Sequence, residues 1–216
     1  VEELSDDCKV YRDREELETV EELYLTGKRV EQFYAPRHDE MDWYMEALKR
    51  DPHDIRTNTA VGHIYLKNGD YQTARVYLTR AIERLASDYT RPSDCEAFYL
   101  LGLAQKRLGL YNEAVDTLYR ATWDYAFHSP AYYQLAQISV MRGDLERALD
   151  QVNESLWTNA RNNSAIALKA SIQRKMGDYE GAGETLKTVY GDDPLDFRIR
   201  NEHVLIERES GNDRKA

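Results

Sequence analysis

The chain has 216 residues, with 29 Lys or Arg against 39 Asp or Glu, a formal charge of −10. That balance argues against phosphate-backbone binding, so nucleic acid is not the expected partner. No apolar run approaches the roughly 18 residues that span a bilayer, which excludes a membrane-spanning helix from the reading. Two cysteines, Cys8 and Cys95, cannot build a disulfide framework, and a reducing, cytoplasmic setting is expected. The first residue is Val1 and not Met, and the chain is read as a fragment.

Residues 1–19 are acidic and poorly patterned, which predicts a solvated leader or linker. Leu17, Val20, Leu23 and Tyr24 then fall at helical spacing and begin a helix running to about Tyr34. Ala35-Pro36-Arg37-His38 breaks it, and a second helix from Asp39 to Arg50 carries Trp43, Tyr44, Ala47 and Leu48. This pair, 20–54, reads as a degenerate first unit. Residues 55–85 give a clearer one. Val61-Gly62 and Tyr65 mark its first helix, Gly69-Asp70-Tyr71 the turn, and Ala74, Leu78 and Ala81 the second. Glycine accepts the left-handed conformation that stops a helix, and Asp70 can cap the next one. The same turn recurs at Gly143-Asp144 and Gly177-Asp178, with Asn112 as the expected substitute after Gly109.

Gly62 to Gly102 spans 40 residues, whereas Gly102 to Ala136 and Ala136 to Ala170 each span 34. The extra residues fall at 86–94 and predict a longer edge loop. Units follow at 95–128, 129–162 and 163–194, with Ser129 expected as an N-cap and Pro130 at the first helical position. Gly181 and Gly183 sit inside the last second helix, each costing about 1 kcal/mol relative to Ala. A final helix, 195–209, is expected to shield the open end, and 210–216 to form a disordered tail.

Phe98-x-x-Leu101-Gly102, Gly109-Leu110-Tyr111 and Ala114-x-x-x-Leu118-x-x-Ala121 repeat 34 residues on as Tyr132-x-x-Leu135-Ala136, Gly143-Asp144-Leu145 and Ala148-x-x-x-Val152-x-x-Ser155. This spacing resembles the tetratricopeptide (TPR) repeat family. The resemblance implies an all-α fold, a right-handed superhelix of antiparallel helix pairs forming a single α-solenoid over 20–209, with a C-terminal capping helix. One departure stands out. Where the family carries a bulky residue three after the central small one, Tyr65 conforms, but Gln105, Ser139 and Gln173 do not. Buried, these polar groups need hydrogen-bond partners. A narrower resemblance, carried by Val20-Glu21-Glu22-Leu23-Tyr24-Leu25-Thr26-Gly27, Ala121-Thr122-Trp123 and Asn159-Ala160-Arg161-Asn162, is to the C-terminal repeat region of large bacterial proteins with an upstream β-rich region.

In the family, the first helix of each repeat lines a concave groove. Carried over by position, the groove candidates are His63, Lys67, Tyr99, Lys106, Arg107, Tyr133, Gln137, Arg174 and Lys175. Tyrosine and arginine supply large contacts with polar ends, and the basic residues suit an acidic peptide. Thr59 and His63 stand where the chaperone-tail receptors of the family place a carboxylate clamp, so that specialised function is not expected. The sequence holds no metalloprotease, phosphate-loop or serine-hydrolase signature, and the five histidines show no metal-ligand spacing. The reading is a non-catalytic scaffold without cofactor or metal, binding a protein or peptide or packing against upstream domains of its parent chain. The rival is an accessory domain of a carbohydrate-processing protein whose site lies elsewhere. A third reading, direct glycan binding, rests on the tyrosine-rich groove.

Overall fold

A computed structural model describes residues 11–33, 38–88, 92, 94–190, 193 and 195–211. The first ten residues of the leader, the 35–37 helix break, positions 89–91 and 93 of the insertion and the tail beyond 211 lie outside the described residues. Among the described residues the chain is all-α, with eleven helices. They are α1 (Val20–Phe33), α2 (Glu40–Arg50), α3 (Ile55–Lys67), α4 (Tyr71–Asp88), α5 (Glu96–Arg107), α6 (Tyr111–Ala121), α7 (Tyr125–Met141), α8 (Leu145–Thr158), α9 (Asn163–Lys175), α10 (Tyr179–Tyr190) and α11 (Phe197–Glu209). They fall into two compact units that divide at Pro92 and Ser93. Each is an α-solenoid of antiparallel helix pairs that buries its apolar stripes between neighbours.

The first unit pairs α1 with α2 and α3 with α4. Thr19 and Glu22 open α1 with a reciprocal capping box: Thr19 Oγ1 accepts from the Glu22 amide, and the Glu22 carboxylate accepts from the Thr19 amide, both at 3.1 Å. Leu23, Val30, Trp43 and Ala47 pack together with Leu17. Within 11–19 the acidic Asp13, Glu15, Glu16 and Glu18 are exposed, but the segment is docked on the first pair and is not a free linker. Leu17 is buried, the Trp43 indole donates to the Arg12 carbonyl, and the Arg50 guanidinium donates to the carbonyls of Leu17, Glu18 and Arg14. A non-helical segment leaves its carbonyls free, and the planar fork of Arg50 collects three of them.

The second unit pairs α5 with α6, α7 with α8 and α9 with α10, and lays α11 on α9 and α10. In the α3–α4, α5–α6, α7–α8 and α9–α10 pairs the turn between helices is a glycine with φ between 77° and 85°, at Gly69, Gly109, Gly143 and Gly177. An L side chain is strained there, which is why glycine punctuates the repeat. Asp70, Asp144 and Asp178 cap the following helices through the amides of Thr73, Arg147 and Gly181. Asn112 does not. The cap position after Gly109 is Leu110, and Asn112, two residues into α6, accepts from Arg142 at 2.7 Å. Ser129 and Pro130 are also corrected. Asp124 caps α7 five residues ahead of Ser129, so both residues lie inside the helix. Pro130 forfeits one intrahelical bond, while the buried Ser155 hydroxyl donates to the Ser129 carbonyl at 2.8 Å.

The departures at Gln105, Ser139 and Gln173 find a common register. In α3, α7 and α9, each an A helix (the first of a pair), this residue meets the one twelve positions on, in the helix's own B partner. Tyr65 stacks on Tyr77, with centroids 5.6 Å apart and planes 8° apart. Ser139 donates to Gln151 at 2.7 Å, and Thr185 donates to Gln173 at 2.7 Å. Gln105 is buried, and its carbonyl oxygen has no protein partner.

Candidate binding surface

Helices α5, α7 and α9 lie side by side as the A helices of the second unit. On α5, Lys106 lies three residues before the Gly109 turn and reaches across to α7. Its Nζ donates to Gln134 Oε1 at 2.8 Å and to Gln137 Oε1. Burial, reinforced by the neighbouring Arg107 charge, pushes the ammonium down to about 8. Tyr99, two turns back on α5, is half-buried against Phe127 with ring centroids 5.4 Å apart, and burial raises its phenol while contact with the Gln134 amide works the other way. Tyr99, Lys106, Gln134 and Gln137 thus form one connected cluster. Gln134 was missed in the sequence. Its signal is the spacing, since it lies 28 residues after Lys106, where one A helix meets the next.

The other candidates fall elsewhere. Tyr133 is half-buried and packs on the core formed by Ala136, Ala148, Val152, Ala165 and Ile172. Arg107 and Lys175 are exposed. Arg174 leaves the groove set: only 5% exposed, it sits against α11, with Nε 2.9 Å from Glu202 and Nη1 2.6 Å from Glu209. Its guanidinium is consumed by the fold.

His63 and Lys67 belong to the first unit and make a separate cluster. Lys67 Nζ is 3.2 Å from Glu31 Oε1, and the same carboxylate takes Lys28 at 3.0 Å and the Tyr44 hydroxyl at 3.3 Å. Burial would raise the Glu31 carboxyl, but the two ammonium groups outweigh it and hold it below the ordinary value. Burial lowers the His63 imidazole, and Lys67 adds to that shift. Lys67 is therefore paired with a carboxylate, whereas Lys106 donates to neutral amides.

Two models of the tetratricopeptide repeat match this chain, one over residues 43–76 and the other over residues 60–127. A TPR repeat-containing protein of Methanocaldococcus jannaschii is 25% identical over 170 residues. The match takes in 76% of this chain, which spans 29% of that relative's length. Among solved structures, pilF of Pseudomonas aeruginosa aligns with a TM-score of 0.72 at 16% identity, covering 91% of this chain and 86% of that one. YrrB, described as a TPR protein with an unusual peptide-binding site, aligns at 0.66 and 18% identity, covering 83% and 89%. At these identities the structural likeness is one of fold.

Proposed function

We propose that this chain is a non-catalytic, TPR-type interaction scaffold that binds an acidic peptide segment across α5 and α7, with Lys106 taking the carboxylate. The observation that carries this reading is the set of groups around Lys106. Its ammonium donates to two amide oxygens, although the chain carries ten more acidic than basic residues. A partly desolvated cation held only by neutral acceptors gains most from a ligand that brings the missing charge. Tyr99 supplies an aromatic wall beside it, Tyr133 and Gln137 continue the surface on α7, and Arg107 adds positive charge at the rim. The peptide-binding description of YrrB, a protein of the same fold, supports the class of ligand. A cytoplasmic setting belongs to the same proposal, supported by a buried Cys95 thiol that forms no disulfide among the described residues.

The test uses fluorescein-labelled decapeptides, one rich in Asp and Glu and one with the corresponding amides, titrated by anisotropy. Wild type should favour the acidic peptide, and Lys106→Gln should weaken it at least tenfold while Lys175→Gln changes it little. Equal binding by wild type and Lys106→Gln sinks the assignment of the site. Absence of any peptide binding favours the rival role, packing against further domains of a longer chain, including one that processes carbohydrate.

A further inference from the structure

Helix α11 has the construction of an A helix, not only of a cap. Asn162 and Asp196 cap α9 and α11 through the amides of Ala165 and Arg198, and each is followed fifteen residues later by a left-handed glycine, Gly177 at φ 85° and Gly211 at φ 80°. Asp54 and Gly69 bracket α3 with the same interval. Eight residues after each of these caps stands the residue that meets the helix's own B partner. At Gly62 an added Cβ would lie 2.6 Å from Leu78 Cγ, and at the corresponding Gly102 2.6 Å from Leu118. Ala136 and Ala170 are fully buried at the equivalent sites. In α11 this position is Val204, and it is 60% exposed.

Ile199 and Ile206 hold α11 on the preceding pair, while Phe197, seven residues before Val204, is 83% exposed. Arg200 and Arg208 stand one turn on either side of Val204, both exposed. Apolar Val204 therefore sits between two cations, with the Glu207 carboxylate also one turn on, on the face that, in the other pairs, receives a helix.

We propose that this face of α11 docks an acidic amphipathic helix from a partner protein, seated antiparallel in the position of a B helix. The repeat geometry specifies the shape of the occupant. Helices α4 and α6 carry Ala-x-x-x-Leu-x-x-Ala, and α8 and α10 keep the small and large pair at Ala148 and Val152 and at Ala182 and Leu186, so a small residue and a large one four apart fit the groove beside Val204. The two arginines select acidic residues along its flanks.

The probe is a labelled peptide with the sequence of α8, Leu145–Thr158, whose Glu146, Asp150 and Glu154 form an acidic row beside Ala148 and Val152. It is titrated into the whole chain by anisotropy, with a scrambled peptide as control. Wild type should bind it, Val204→Asp and the double variant Arg200→Glu/Arg208→Glu should bind at least tenfold more weakly, and Lys106→Gln should bind as wild type does. Because the substituted side chains are exposed, circular dichroism should be unchanged. Failure of wild type to bind, or equal binding by Val204→Asp, overturns the proposal. A dimer in sedimentation that Val204→Asp dissociates also overturns it, since the occupant would then be a second copy. Loss of acidic-peptide binding in Lys106→Gln alone would report on the α5–α7 site and leave this result intact.

Discussion

Lys106 and Arg174 occupy the same position on α5 and α9, two repeats apart, and each reaches an acceptor 28 residues downstream on the next A helix. For Lys106 that acceptor is the Gln134 amide, and for Arg174 it is the Glu202 carboxylate. One repeat position therefore does two jobs. At α9 it closes an ion pair that fastens α11, and at α5 it leaves a cation in the company of neutral groups. The chemistry of the downstream residue decides which.

Arg174→Met should destabilise the second unit by about 2–4 kcal/mol, because Glu202 would stay largely covered without its partner. Glu209 is half-exposed and can return to water, so most of the loss should trace to Glu202. The double variant Arg174→Met/Glu202→Gln should recover part of it. Urea unfolding of the three proteins measures both effects. Equal stability of wild type and the single variant would show that the pair contributes nothing net.

At Lys106 the sign runs the other way. The folded group titrates at about 8 against an ordinary 10.5, so between these values the unfolded chain binds more protons and stability rises with pH. Lys106→Met should therefore be the more stable protein at pH 7, and its advantage should shrink from about pH 8 and level off near 10.5. Acidic-peptide binding should fall through the same lower limit as the amine loses its charge. Chemical denaturation at a series of pH values tests the first effect and anisotropy the second. A pH-independent difference in stability would mean that the group does not titrate abnormally.

The helical pairs were legible because small residues and glycine turns recur in phase, and both signals act locally. The chemistry across helices was less so. Nothing around Arg174 in the sequence distinguishes a groove cation from a buried one; its fate depends on Glu202 and Glu209, 28 and 35 residues away. The leader misled for the same reason. Its acidic composition speaks for solvation, but Leu17 and the carbonyls that Arg50 binds are read only once α2 is in place. Pro130 misled locally, since Asp124 offered an earlier cap that carried the helix through it.

Gln105 offers a test of the polar register. Its buried carbonyl oxygen lacks the partner that Ser139 and Gln173 find twelve residues on. Gln105→Leu should be neutral or stabilising by up to about 1 kcal/mol, since an unsatisfied buried acceptor costs more than an apolar group of similar size. Ser139→Ala should cost about 1–2 kcal/mol by stranding the Gln151 oxygen. A loss at Gln105 equal to that at Ser139 would mean that an internal water already satisfies the glutamine.

Two glycines inside helices should respond to alanine with opposite signs. At Gly102 the new Cβ would meet Leu118 Cγ and Cδ2 at 2.6 Å, in the middle of the α5–α6 contact where both residues are buried. Leu118 must leave its rotamer or the helices must separate, at a cost of about 1–3 kcal/mol. At Gly183 nothing lies within 4 Å of the added carbon. There only the backbone entropy of the unfolded chain changes, and Gly183→Ala should stabilise by about 0.5–1 kcal/mol. Thermal unfolding of the two variants beside wild type decides it. A gain at Gly102 would show that the α5–α6 pair has room to open, and the close approach that the small residue permits would then not be what sets the spacing of the repeat.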